Sequence, residues 1–493
     1  MKATRFAIPV LILVTAHWTW AQPPQMSIGD NGRFLTNQQG ETVFINGDTG
    51  WNLALLLNRA DAAHYVKVRN SQNFNLLGVS AIHGNNPENF YGDAPFEKTE
   101  GRWDPSKPII TDGNDPGNRL QYDYWDHLDY VLELTEKYKM YVALVVCFNN
   151  WVAGSGNGGN RSQIVFNKDN AYEYGNFIGN RYKDRKNILW MMGGDRSAVY
   201  GEYDYREVYR AMAEGCADGI KGVKNHDGNY DISGILMSFH PQKNNPNSSQ
   251  WFHNEDWLTF NSIQACPSDQ EGLIEADYAM DPVKPTWLFE GRYEQYTYAY
   301  KPWHVRFQAY ISVFAGGFGH VYGNEAIWDF DPTWKTDIYW DGGLHMKYLN
   351  HILTGGLDLD SFGDLRPDTL VIANGKRGTT SQQCWSFKTL EAPYSSRIVA
   401  MATDDYSTVL VYSADGSTIE LRSELLPEDL LAYWYNPRTG RFSDSKEINH
   451  KLPLTAQQFT VNDTLVVFDL PGEPGFDNDW ILLIESQSDK SPD

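Results

Sequence analysis

Two acids stand out by where they fall. Asp195 closes the apolar run "ILWMMGG", and Glu290 closes "PTWLF". A charge at the end of a buried run is costly, so each acid needs a partner or a task. Six other apolar runs also end on polar or aromatic residues. Asp48 and Trp51 follow "TVFIN", and His83 follows "NLLGVSAI". Asn149, Asn150 and Trp151 follow "MYVALVVCF", His240 follows "GILMSF", and Gln264 follows "FNSI". Tyr293 comes three residues after Glu290, and Tyr322, Asn324 and Trp328 lie in "GGFGHVYGNEAIW". If the eight runs are parallel strands of one barrel, these ends share a single cup. Its acids and amides suit sugar hydroxyls, and its aromatic faces suit the apolar side of a sugar ring. Glycosidic cleavage needs two carboxyls flanking one bond, about 5–5.5 Å apart for retention and about 6.5–9.5 Å for inversion. Strands four and seven face each other across such a barrel, which makes Asp195 and Glu290 the catalytic candidates. The sugar-binding candidates are Asp48, Trp51, His83, Asn149, Trp151, His240, Gln264, Tyr293, Tyr322 and Trp328.

Plainer uses compete with these. An Asp after Gly-Gly is commonly a helix N-cap or a turn residue. Glu290 could belong to a structural ion pair with Arg292 or Arg306, and Glu294 is a rival for its role. Asp48 in "GDTGW" reads as a substrate-holding carboxylate or as a third catalytic acid. His83 and His240 lack any HxH, HExxH or Cys/His company, so no metal site is expected and no cofactor is implied. "GNGGN" at 156–160 lacks the Lys and Ser or Thr of a phosphate loop and reads as a flexible loop. There is no GxSxG elbow, no GxGxxG after the first strand and no EF-hand spacing.

Helical stripes separate the runs. Tyr205, Val208, Tyr209, Met212, Ala213, Cys216 and Ile220 keep i, i+3, i+4, i+7 spacing. Leu128, Val131, Leu132 and Tyr138 form a second stripe, and Tyr174, Phe177, Ile178 and Tyr182 a third. "EGLIEADYAM", "WHVRFQAYISVF" and "GLHMKYLNHIL" supply later helices, while "WFHNEDWL" before the sixth run is the weakest. Eight such units predict a (β/α)8 TIM barrel, an α/β fold, with a doubly wound open sheet as the alternative. Long strand-to-helix loops at 85–121, 151–168 and 241–256 would crown the catalytic face. Near residue 357 the helical period stops. Short strands from "RIVAMATDD" to "WILLIES" then predict a small all-β sandwich domain.

The chain has 493 residues, a net charge of −22 and 14% aromatics. Nucleic acid and anionic membranes are therefore poor partners, and a poly- or oligosaccharide suits the cup. Lys2, Arg5, the run "FAIPVLILVTA" and Ala21 read as a signal peptide over residues 1–21, with no membrane insertion and a periplasmic or secreted product. The barrel is expected over 22–356, a connecting segment over 357–393 and the sandwich over 394–493. Four scattered cysteines, Cys147, Cys216, Cys266 and Cys384, do not make a disulfide scaffold.

"VFINGDTGWNL", "NILWMMGGDRS", "MSFHP" with "WFHNEDWLTFNSIQ", "KPTWLFEGRYE" and "AYISVFAGGFGHVYGNEAIW" resemble the apiosidase-like catalytic domain of glycoside hydrolase family 140, from about residue 28 to 357. "AYWYNPRTGRF" resembles the β-domain that follows it, often labelled collagen-binding. The resemblance implies a barrel hydrolase that releases apiose-linked side chains from the pectin rhamnogalacturonan II. It implies Asp195 as acid/base and Glu290 as nucleophile. "FEGRYE" stands where relatives read more like N-E-P-x-Y-E, and "QACPSD" stands in place of a Q-S-G-H-like stretch. The competing expectation is a non-catalytic carbohydrate-binding surface protein using the same cup.

Overall fold

Eight short segments are buried along almost their whole length because helices cover one face and barrel side chains fill the other. They are β1 Ile45–Thr49, β2 Leu76–Ser80, β3 Tyr141–Val145, β4 Ile188–Gly193, β5 Met237–His240, β6 Asn261–Gln264, β7 Thr286–Glu290 and β8 Gly319–Asn324. The computed structural model describes residues 23–487, apart from 85–86, 149, 155–160, 244, 266–269, 296–299, 356, 358–361, 375–394, 444–452, 455–458 and 462–463. The expected signal peptide, Asn149, the "GNGGN" loop, Cys266 and Cys384 lie outside the described residues.

The strands pair in parallel in the order β5-β4-β3-β2-β1-β8-β7-β6. The ring closes between β5 and β6 without a regular ladder. There, Thr259 N–H donates to the Met237 carbonyl at 2.8 Å, and the Ser238 hydroxyl donates to the Phe260 carbonyl at 2.6 Å. The helices are α1 Arg59–Ser71, α2 Tyr124–Lys137, α3 Lys168–Arg181, α4 Arg206–Lys221, α5 Ser249–Phe252, α6 Gln270–Tyr278, α7 Pro302–Phe314 and α8 Asp341–Thr354. The fold is a (β/α)8 barrel, and α5, the weakest stretch in the sequence, is a single turn. The apolar run "GILMSF" begins at Gly234. The strand starts at Met237 because Gly234, at φ +73°, turns the chain below the barrel.

Helix starts follow their caps. Asp123 and Asp126 form a capping box on α2, and Asn167 and Asn170 form one on α3. Helices α3 and α4 touch through glycine. A Cβ on Gly175 would lie 2.3 Å from the Met212 carbonyl oxygen, and one on Gly215 would lie 2.1 Å from that of Tyr172. This backbone-to-backbone approach sets the helix pair behind β4, the strand that carries Asp195. Cys147 and Cys216 are free and buried. Among the described residues, no helix is long and apolar enough to cross a membrane.

The C-terminal region is antiparallel. One sheet carries β9 Ile398–Ala402, β10 Thr408–Ser413, β12 Leu430–Asn436 and β14 Trp480–Ser486, with β14 between β10 and β12. The other pairs β11 Ile419–Arg422 with β13 Leu465–Phe468. Val409, Val411, Trp434, Phe468, Leu482 and Ile484 fill the space between them. Strand Arg366–Asp368, inside the expected connecting segment, pairs with β9. The domain packs on α7 and α8. Arg306 binds Asp477 and Asp479 at 2.6 Å each, and Tyr310 stacks on Tyr412 with ring centroids 4.8 Å apart. Trp303 Nε1–H donates to the Ala414 carbonyl at 2.8 Å.

Candidate active site

The glycines before Asp195 exist for close approach. Gly193 has φ +71°, and a Cβ there would meet Phe239 at 2.5 Å. A Cβ on Gly194 would meet the Phe148 Cα at 2.7 Å. Asp195 itself sits at φ +47°, a region Asp tolerates better than most residues. No helix starts there, since α4 begins at Arg206, so the N-cap reading fails. Its side chain is 34% exposed and held from two sides. Gln264 Nε2–H donates to Oδ1 at 3.0 Å, and Arg196 Nη1 lies 3.0 Å from Oδ2. Arg196 also reaches Asn150 Oδ1 and the Gly154 carbonyl, each at 3.1 Å, so it ties the β3 loop to the acid.

Glu290 ends β7 in the same cup. Tyr293 OH donates to its Oε1 at 2.8 Å, and Trp51 Nε1–H donates to the Tyr293 hydroxyl at 2.6 Å. His240 Nε2 lies 3.0 Å from Oε2, an ion-pair distance rather than an aligned hydrogen bond. The other side of the same ring faces Asp195, whose N–H lies 3.3 Å from Nδ1. His240 therefore touches the backbone of one acid and the carboxylate of the other. Trp51, Phe148 and Phe289 wall this ring, and His83 stacks on Phe148 with centroids 5.0 Å apart. Glu290 is not spent on Arg306, which binds the C-terminal domain.

The electrostatics bear on Asp195. Enclosure by protein raises the Asp195 pKa above the ordinary carboxylate range, and the Glu290 charge raises it further, while Arg196, His240 and Gln264 oppose both. Burial lowers the Lys243 pKa, while the charges of Asp195 and Glu290 act to raise it. Burial, and then Arg196, pull His83 down to about 4. A prediction follows from the sign. Arg196 favours charged Asp195, so Arg196→Gln lets Asp195 keep its proton to higher pH. The alkaline limb of kcat/KM then moves upward, whatever happens to its height. A limb that stays put or moves down removes Asp195 as the titrating acid.

Three expected sugar ligands are not in the cup. Asp48 has no exposed surface and binds Arg69 Nε at 2.6 Å and the Tyr65 hydroxyl, on the helix side of β1. Tyr322 is equally buried and donates to Glu294, which also accepts from the Gly342 N–H at α8. That pairing removes Glu294 from contention too. Trp151 is 3% exposed, with its indole N–H on the Gly84 carbonyl at 2.8 Å, so it packs under the loops rather than offering a face. Trp328 is partly exposed after β8, and its indole is hydrogen-bonded by Glu325. Sequence reasoning missed Arg196 and Lys243. Arg196 was adjacent to the acid, but nothing in the sequence said which way either side chain points.

A barrel that brings two acids to one cup from the ends of its fourth and seventh strands has the two carboxyls that glycosidic cleavage needs. The sequence matches the family model "Apiosidase-like, catalytic domain" over residues 29–357, and the chain belongs to that family. Residues 390–485 match the model "Putative collagen-binding domain of a collagenase". A solved structure described as a glycoside hydrolase is 25% identical, with a TM-score of 0.72, covering 95% of this chain and 99% of its own. A family 5 glycoside hydrolase from Bacteroides vulgatus ATCC 8482 is also 25% identical, with a TM-score of 0.73 and coverages of 95% and 96%. A search of curated proteins finds no match. The protein is a glycosidase.

Proposed function

We propose that this glycosidase acts outside the cytoplasm on a plant cell-wall pectic polysaccharide, with apiosyl linkages of rhamnogalacturonan II as its target. Asp195 is the acid/base and Glu290 the nucleophile. The observation that carries this mechanism is the pair of acids at the ends of β4 and β7, one raised in pKa and the other oriented by Tyr293, with His240 against the Asp195 backbone and the Glu290 carboxylate. Asp195 is partly exposed in the cup as a proton donor must be, while Glu290 is set by Tyr293 and His240 as an attacking group must be. The buried rings of Trp51, Phe148 and Phe289 hold the His240 imidazole in place. The pectic target rests on family membership, and export rests on the leader.

The test is incubation with rhamnogalacturonan II and a panel of neutral and acidic pectic side chains, with products separated by size and charge. Release of an apiose-terminated oligosaccharide is the expected result. Cleavage of another member of the panel moves the linkage and keeps the mechanism. No cleavage anywhere removes the pectic target.

A further inference from the structure

Strand β7 does not run straight past Glu290. It pairs with β8 at Leu288 and His320, and the chain next meets β8 at Tyr293 and Gly323. Five steps along one chain therefore match three along the other. The surplus is a bulge, and Glu290, Gly291 and Arg292 lie in it. On the other side the register with β6 slips as well, so that Gln264 stands opposite Glu290 and Phe289 is passed over. A bulge re-aims a side chain, which is why bulges gather beside active sites. It also takes backbone groups away from their ladder partners, and buried groups then need others.

Glu290 has one such partner, since its carbonyl accepts from the Ala265 N–H at 3.0 Å. Arg292 has both of its partners in a single side chain. The Gln308 amide of α7 accepts the Arg292 N–H through Oε1 at 2.6 Å and donates from Nε2 to the Arg292 carbonyl at 3.0 Å. Those are the two bonds that an antiparallel neighbour exchanges with one residue. Gln308 has no exposed surface, and its Oε1 also accepts from Gln270 Nε2 at 3.1 Å. Gly291 leaves room for the amide, because a Cβ there would lie 2.5 Å from that oxygen. Helix α7 is itself fixed from outside. Arg306 and Tyr310, two residues to either side of Gln308, are held by Asp479 and Tyr412 of the C-terminal domain.

We propose that Gln308 is a positioning residue for the reaction: its amide stands in for a missing strand, fixes the bulge at Gly291 and Arg292, and so aims the Glu290 carboxylate into the cup. It acts through Glu290, from the helix side of β7. This rests on the reading of Glu290 as the nucleophile.

The experiment is steady-state kinetics of the full chain on a dinitrophenyl apioside, with melting temperatures alongside. Gln308→Met keeps the length of the side chain and removes both bonds. The expected result is a fall of about a hundredfold in kcat with KM within about threefold, the scale of a shift of about 1 Å at a reacting group. Gln308→Glu keeps the acceptor oxygen, loses the donor and falls between. Gly291→Ala displaces the amide from the strand side and should reproduce the loss, and adding it to Gln308→Met should cost little more. The deciding arm is Glu290→Gly with azide. Azide attacks the anomeric carbon, the bond to the phenolate breaks, and a glycosyl azide forms. A free anion needs no aiming, so Gln308→Met should change the azide-restored rate by less than about threefold. An equal loss in both backgrounds overturns the proposal, as does a loss carried by KM or an unchanged kcat in Gln308→Met.

Hydrogen exchange at the Arg292 amide separates this inference from the reading beneath it. Followed by mass spectrometry of the peptide that spans Arg292, exchange should quicken about tenfold or more in Gln308→Met. Unchanged exchange overturns the inference whatever the kinetics. A Glu290→Gly enzyme that azide does not revive would sink the nucleophile reading, and a wild type inert on the apioside would sink the apiosyl one. In either case quickened exchange upholds Gln308 as the holder of the bulge.

Discussion

With Glu290 as the proposed nucleophile, Glu290→Gln is expected to abolish turnover on every substrate, with a loss of about four orders of magnitude or more in kcat, because no covalent intermediate can then form. The fold survives, since Glu290 sits at the cup wall and its side chain is 13% exposed rather than sealed in the core. Asp195→Asn behaves differently, and the difference is the informative part. An acid is needed only where the leaving group cannot depart by itself. On the natural glycan, Asp195→Asn falls about as far as Glu290→Gln. On an aryl glycoside with a strongly acidic phenol, glycosylation proceeds, and the loss shrinks by about two orders of magnitude or more. Stopped-flow release of the phenol from both variants, with melting temperatures measured in parallel, checks this. Equal losses on both substrates would remove the acid/base role from Asp195. Normal turnover in Glu290→Gln would remove the mechanism.

What the sequence made legible followed from burial. Parallel strands covered on both faces leave unbroken apolar runs, so all eight barrel strands show in the sequence. A lone charge against such a run is expensive, which is why Asp195 and Glu290 were conspicuous. The same burial hid the phase of the pleat. In a strand with one wet face, alternating polarity shows which side points inward. In β1 and β8 it does not. Asp48 and Tyr322 are register partners on adjacent strands and point together to the helix layer. Gly47 and Val321, one residue earlier on each strand, face the barrel interior with Leu76. Position at a strand end therefore gave the right height in the barrel and the wrong side. Trp151 failed for another reason. A large aromatic on a loop can be a platform or a wedge, and only the Gly84 carbonyl and the rings of Phe96 and Phe166 decide for the wedge.

The role of Asp48 gives the second large effect. Asp48 and Arg69 are both fully buried, joined at 2.6 Å, with Tyr65 on the same carboxylate oxygen and the Ile338 carbonyl accepting from Arg69 at 2.9 Å. This cluster ties β1 to α1 and to the segment before α8. Asp48→Asn leaves the Arg69 charge buried and uncompensated, and it should lower unfolding free energy by about 3–5 kcal/mol. That is a large part of the roughly 5–15 kcal/mol typical of a folded domain. Asp48→Asn combined with Arg69→Met removes both charges and should recover much of the loss, because the penalty lies in the unpaired ion rather than in the absent pair. Urea unfolding of the two variants reads the difference, and KM of the folded double variant should stay near that of the wild type. If KM rises steeply while the urea midpoint holds, Asp48 touches sugar after all, and the outward pleat phase of β1 is wrong.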